Sequence, residues 1–253
     1  MIDIHCHILP GMDNGPGTMQ ETLTMVEMAH NQGIHTIIAA PHHRNGSYEN
    51  EKEAILGAVD YVNAKLREQQ LDVLILPGQA IFMYAELVRD LERGLLLPLN
   101  ETSGYVLLEL PTTHVPAFAS EVVFAMQIAG YKPVLANPEE NKELRANPNV
   151  LYELVRQGAL TQISAESVTG TAGKKTQKWV LQVLDAGLAH FVASGAYDGQ
   201  KRRIQLQAAY KAIKKHAGSS VTEQLMANCE LLLQGEPIIR DAPTRLSTKR
   251  RFF

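Results

Sequence analysis

Apolar residues along the chain fall into short runs, separated by longer stretches in which they recur every three or four positions. The short runs cover 1–5, 36–40, 73–76, 105–110, 133–136, 160–164 and 190–193. They favour β-branched residues and do not alternate strictly with polar ones, the pattern of strands covered on both faces in a parallel sheet. The longer stretches, 18–32, 50–69, 84–93, 115–129, 149–157, 173–186 and 202–217, carry the spacing of amphipathic helices. The first opens with Thr18, has Glu21 three residues on and stops at Gly33, which predicts a capping box and a C-terminal glycine. Periodicity alone does not separate a barrel from an open doubly wound sheet. Strands that are each followed by a helix, seven times over, predict an α/β fold of the distorted (β/α)7, TIM-like barrel kind.

No internal repeat or low-complexity linker interrupts this series, so residues 1–241 are expected to form one domain. The remainder, 242–253, has no periodic apolar face and ends in Lys249-Arg250-Arg251-Phe252-Phe253. It reads as a loose or disordered tail, or as one whose phenylalanines and basic run touch a partner or an acidic surface. Composition changes the picture little. The chain is 45% hydrophobic and 20% charged, and its net charge of -3 gives no electrostatic reason to expect nucleic acid. Cys6 and Cys229 make no disulfide framework, so a reducing cytoplasm is the expected setting. Asp3, His5 and His7 interrupt the first apolar run, which argues against a signal peptide. No apolar stretch approaches the ~18–20 residues of a membrane span.

In barrel folds the chemistry sits where strands give way to loops at their C-terminal ends. His5 and His7 lie there, and residues two apart on a strand point to one side, so both imidazoles can face one ion. Cys6 between them turns away and reads as a small buried hydrophobe. His42 and His43 end the second strand, one expected to point inward and the other to pack. Glu109 closes an apolar strand, where a carboxylate needs a partner, and a metal ion is a suitable one. His30, His35, His114, His190 and His216 are expected in packing or surface roles.

These motifs carry a resemblance. The opening Met1-Ile2-Asp3-Ile4-His5-Cys6-His7-Ile8-Leu9-Pro10-Gly11 is similar to the start of the manganese-dependent tyrosine phosphatases encoded in Gram-positive capsule loci. These enzymes belong to the polymerase-and-histidinol-phosphatase superfamily. Pro41-His42-His43, Leu76-Pro77-Gly78-Gln79, His114-Val115-Pro116 and Phe191-Val192-Ala193-Ser194 extend the resemblance from Met1 to about Arg203. It implies the superfamily's distorted barrel and a site of three metal ions that activate water against phosphotyrosine. It also implies that His5, His7, His42 and Glu109 stand at ligand positions, with Asp13 in an acidic pair that here reads Asp13-Asn14.

Departures from that pattern concentrate at the strand ends. Ala80 and Phe82 stand where the resemblance expects a bridging glutamate and an arginine. Asn137 and Glu140 replace a ligand histidine and a phosphate-binding arginine, and Gly195 and Tyr197 replace an aspartate and a histidine. Glu166 precedes Ser167 where the pattern has glycine, and Thr112-Thr113 replaces a phenylalanine and an aspartate. A cluster of three ions needs roughly a dozen donors, so these losses predict at most one divalent ion (Mn, Zn or Fe) on His5, His7 and Glu109, with or without His42. A site with no metal is the open alternative. The expected ligand at the strand ends is a small molecule or a phosphotyrosine-like group. Three functional readings follow. One is a tyrosine-phosphatase scaffold with its native reaction lost or weak. Another is a pocket repurposed, by selection or by engineering, with Glu140 or Glu166 as general base and Tyr197 as hydrogen-bond donor. The last is a non-catalytic binding or scaffold protein.

Overall fold

The computed structural model of the chain describes residues 1–198 and 204–246. Its elements follow in the order β1 (Ile2–Cys6), α1 (Met19–His30), β2 (Thr36–Ala39), β3 (His42–His43), α2 (Lys52–Glu68), β4 (Leu74–Pro77), β5 (Ala80–Phe82) and α3 (Leu87–Glu92). Then come β6 (Tyr105–Glu109), α4 (Ala119–Ile128), β7 (Lys132–Ala136), a 3-10 turn (Pro138–Glu140), α5 (Lys142–Ala146) and α6 (Pro148–Arg156). The series ends with β8 (Leu160–Ser164), α7 (Ala165–Thr169), α8 (Lys174–Asp185), β9 (Phe191–Ala193), α9 (Leu206–Ala217) and α10 (Ser219–Gln234). Each predicted strand and helix has its counterpart, with the last helix described from Leu206 onward.

All strand pairs are parallel, in an α/β arrangement of two sheets ordered β1-β2-β4 and β3-β5-β6-β7-β8-β9. Hydrogen bonding thus divides the strands between two sheets instead of closing one ring. The division arises because two predicted strands are broken. Ala40-Pro41 separates β2 from β3, and Gly78-Gln79 separates β4 from β5. Backbone bonds continue across the first break, from Ala40 N–H to Cys6 O (3.0 Å) and from Ala80 N–H to Pro41 O (3.0 Å). A side chain at Gly78 would lie 2.7 Å from Ile38 Cγ2, so the second break runs too close to its neighbours for any larger residue. At the other end, His7 N–H donates to Ala196 O (2.8 Å) and Gly195 N–H to His5 O (2.9 Å). These bonds tie the end of β1 to the segment after β9.

Strand residues bury both faces, which is why the runs read as continuous rather than alternating. Ile37, Ile75, Val106, Leu108, Leu135, Ile163 and Val192 pack against the helices. Ile4, Ile38, Tyr105, Leu107, Val134 and Phe191 form a second cluster on the opposite faces, together with Cys229 and Leu232 of α10. Within it the rings of Tyr105 and Phe191 meet edge to face at 6.2 Å. Cys6 is buried against the helical side, as the alternation predicts, and burial pushes its thiol well above the usual range.

Part of the predicted tail docks. Thr244 N–H donates to Ala186 O (2.8 Å), and Arg245 pairs with Glu153 (2.8 Å) while its guanidinium lies 4.6 Å over the Tyr152 ring. The basic run and the two phenylalanines lie outside the described residues. Among the described residues no helix is long and apolar enough to cross a membrane.

Candidate metal centre and cleft

Six polar side chains, His5, His7, Asp13, His42, Glu109 and Gln162, gather around the C-terminal end of β1. His5 and His7 are buried, at 1% and 4% exposure, and their Nε2 atoms face each other at 3.2 Å. Each ring is held from behind. His5 Nδ1 meets Gln162 Oε1 of β8 at 2.8 Å, and His7 Nδ1 meets Asp13 Oδ2 at 2.6 Å. Two ligands about 2.1 Å from one ion stand roughly 3.0–3.4 Å apart in octahedral or tetrahedral geometry, so the Nε2 pair has the spacing of two donors to a single ion.

Asp13 is placed by the loop after β1. Its Oδ1 accepts the N–H of Gly15 (2.9 Å), and its Oδ2 accepts both the His7 ring and the backbone N–H of His42 (3.1 Å). A side chain at Gly15 would strike the carbonyl oxygen of His7, so this turn requires glycine. Burial works to raise the Asp13 carboxyl, but these hydrogen bonds hold it below the ordinary carboxylate range. His7, Asp13 and His42 offer ligand atoms within 4.8 Å of one another.

His42 and Glu109 come together through strand register, since β3 pairs with β5 and β5 with β6. His42 Nδ1 lies 2.7 Å from Glu109 Oε2, so Glu109 meets an imidazole on a neighbouring strand. His43 on the next position is buried, as expected for the packing member of the pair. A cleft of about 430 Å³ opens beside His42 and Glu109, and Phe82, Thr112, Asn137 and Glu140 line it.

The remaining sequence-marked residues are dispersed. Glu140 reaches the cleft and is exposed. Glu166, in the first turn of α7, and Tyr197, one residue past Ala196, are half-buried and do not line this cleft. Both already engage other protein groups. Besides Asp3 and Asp13, a buried carboxylate is Glu139, at 1% exposure. Burial pushes it up to about 7, against a hydrogen bond from Ser164 N–H to its Oε1 (2.7 Å), and its Oε2 has no partner.

Sequence reasoning missed Gln162 and the part Asn137 plays. Gln162 sits in a strand that reads as uniformly buried, and a glutamine there is the visible signal: a covered amide must find partners. It donates from Nε2 to Asn137 Oδ1 (3.1 Å) and to the carbonyl of Ile163 (2.9 Å). Asn137 has a left-handed backbone (φ 45°, ψ 54°), a conformation asparagine tolerates better than most residues.

Comparison with known proteins fits this geometry. A model of the family described as "Capsular polysaccharide synthesis, CpsB/CapC" matches residues 1–234. The tyrosine-protein phosphatase YwqE of Bacillus subtilis (strain 168) is 43% identical over 252 residues, spanning 100% of this chain and 99% of that protein. The putative tyrosine-protein phosphatase CapC of Staphylococcus aureus is 30% identical over 253 residues, spanning 100% and 99%. A chain from the crystal structures of YwqE and of CpsB from Streptococcus pneumoniae, described as unique metal-dependent tyrosine phosphatases, superposes with a TM-score of 0.95. That superposition covers 98% of this chain and 100% of the other, at 43% identity.

Proposed function

Because the chain belongs to the CpsB/CapC family of capsular polysaccharide synthesis proteins, we propose that it is a tyrosine-phosphatase scaffold holding a single divalent ion on His5 and His7, without the multi-ion centre that efficient phosphotyrosine hydrolysis requires. The observation that carries this reading is where the surviving donors point. His5 and His7 Nε2 stand 3.2 Å apart, and His7, Asp13 and His42 bring ligand atoms within 4.8 Å of one another, while Glu109 is paired with His42 at 2.7 Å. This donor set fits one ion. It does not fit three, because Ala80, Gly195 and the aliphatic edge of Ala136 supply no donors and Asn137 directs its oxygen to Gln162.

A bound divalent ion would supply Lewis acidity and acidify a nearby water. The chain's own residues orient its ligands and shape the cleft beside them. Phe82 offers an apolar face to an aromatic ring, and the hydroxyl of Thr112 a hydrogen bond, which suits a phosphotyrosine-like or other small aromatic ligand. Glu109 and Glu140 put carboxylates on the wall, and among the described residues the wall carries no lysine or arginine. A phosphate dianion would therefore be held weakly there, which supports a slow or absent native reaction. The general-base reading draws less support, since Glu140 is exposed and Glu166 and Tyr197 lie off this cleft.

The same reading takes β2 with β3, and β4 with β5, as two broken strands of one distorted seven-strand barrel. The bridge between Cys6 and Ala196 supports its closure. Residues 1–241 form its single unit, and the two buried free thiols, Cys6 and Cys229, suit a reducing cytoplasm.

Calorimetric titration of metal-free protein with zinc and manganese tests the proposal, run beside a p-nitrophenyl phosphate assay of this chain and the B. subtilis relative. One equivalent is expected to bind, to be lost in His5→Ala, and to leave turnover at least about 100-fold below the relative's. Binding of three equivalents with turnover comparable to the relative's would overturn it.

A further inference from the structure

We infer that Gln162 and Asn137 are positioning residues for His5: through a chain of hydrogen bonds they lock its imidazole in the tautomer that carries its proton on Nδ1 and aims the Nε2 lone pair at His7. The inference about metal affinity rests on the single-ion reading above, whereas the tautomer stands on the hydrogen bonds alone.

The orientation of the Gln162 amide is decided by a group with no ambiguity. The backbone carbonyl of Ile163 can only accept, and it lies 2.9 Å from Gln162 Nε2, so that atom is the NH2. Asn137 must then present its oxygen to the second hydrogen of the same NH2, at 3.1 Å. The atom of Gln162 that faces His5 Nδ1 at 2.8 Å is consequently the carbonyl oxygen. An amide oxygen has no hydrogen to give, so Nδ1 of His5 must be the donor, and in the neutral ring Nε2 is left as an acceptor.

His7 reaches the same state by another route. Its Nδ1 faces Asp13 Oδ2, an oxygen that also accepts the N–H of His42, so Nδ1 of His7 donates as well. With both far nitrogens donating, the two Nε2 atoms face each other at 3.2 Å. A proton shared between the nitrogens or a cation bound by both makes this contact favourable, and the spacing suits a divalent ion. The protein supplies the remaining order in advance. His5 and Gln162 are fully covered, and Asn137 holds the left-handed turn that brings its side chain over β8. A ligand ring whose tautomer and tilt are fixed before binding loses less freedom when the ion arrives, which is how outer hydrogen bonds raise metal affinity.

The experiment combines two readouts on full-length protein. Imidazole 15N shifts of the metal-free protein report which ring nitrogen of His5 carries the proton, and competition titration with zinc reports affinity. Gln162→Leu is expected to release the Nδ1–H tautomer and to weaken zinc binding about 10- to 100-fold, while Gln162→Glu, which keeps an acceptor toward Nδ1, preserves both. Asn137→Gly removes only the acceptor of Gln162 and is compatible with the positive φ, so it keeps the test decisive if the leucine variant does not fold. It is expected to give a smaller loss in the same direction. A His5 ring that keeps its proton on Nδ1 in Gln162→Leu and Asn137→Gly alike, or zinc affinity unchanged in both, overturns the inference. Wild-type protein that binds no zinc would remove the single-ion reading, and the nitrogen shifts would then decide the positioning role by themselves.

Discussion

Glu139 and Glu140 are adjacent in sequence, yet one is covered and the other open to water. The covered one should contribute to the pH dependence of stability near neutrality. Its carboxyl is raised from 4.5 to about 7 by burial, so the folded chain keeps the proton where the unfolded chain has released it. Folding therefore binds a proton at this group between those values, and its contribution to stability is full below about 4.5 and is lost as pH rises through about 7. A shift of this size corresponds to an upper bound of about 3 kcal/mol. Glu139→Gln keeps an oxygen for Ser164 N–H and removes the charge. Its melting temperature should match the wild type at pH 5 and exceed it at pH 8. An equal gap at both values would show that Glu139 does not titrate in this window. At this scale the sequence marked residue types well and partners poorly. His5, His7, His42 and Glu109 were visible as strand-end ligands, but Glu140 drew attention that burial assigns to Glu139, because burial depends on what the rest of the chain places overhead.

Elements were legible where their signals are local. The capping box of α1 forms as read: the Thr18 side chain accepts Glu21 N–H (3.3 Å), and Glu21 Oε2 accepts Thr18 N–H (3.1 Å). The helix α10 was missed, although Thr222, Leu225, Cys229 and Leu232 bury one stripe at helical spacing. Gly218 ends α9 and α10 begins at Ser219 with no intervening loop, so one boundary looked like the end of the series. The helix is fastened by Asn228, fully buried, whose Nδ2 donates to the carbonyls of His190 and Ile239 (both 3.0 Å) and whose Oδ1 accepts Ile239 N–H (2.9 Å). Asn228→Ala removes three hydrogen bonds to the backbone, although Gln224 Nε2 still donates to the Ile239 carbonyl (3.2 Å), and should cost about 2–3 kcal/mol in urea unfolding. A loss under about 0.5 kcal/mol would mean that water or a shifted backbone satisfies them. The strand β3 was read only as the end of the second strand and β5 was not read at all, because each is only two or three residues long, and pairing with a neighbour is what makes so short a segment a strand.

For the molecule as a whole, the proposed ion should link occupancy to folding, since His5 of β1 is oriented by Gln162 of β8 and His7 by Asp13. Unfolding separates these groups. Zinc at a hundred times its dissociation constant should raise folding stability by about 2.7 kcal/mol, seen as a higher melting temperature in calorimetry, and His5→Ala should abolish the rise. A melting temperature that zinc leaves unchanged would count against a site that forms only in the folded chain.

The sequence by itself determined the α/β class, the order of strands and helices and the strand ends where chemistry gathers, because short continuous apolar runs and the 3.6-residue period are written in neighbouring side chains. Only the tertiary structure decided which groups meet. His5 and Gln162 are 157 positions apart and His42 and Glu109 are 67 apart. Their hydrogen bonds exist because parallel register sets residues of different strands side by side, and that register is a property of the packed sheets that no local pattern records.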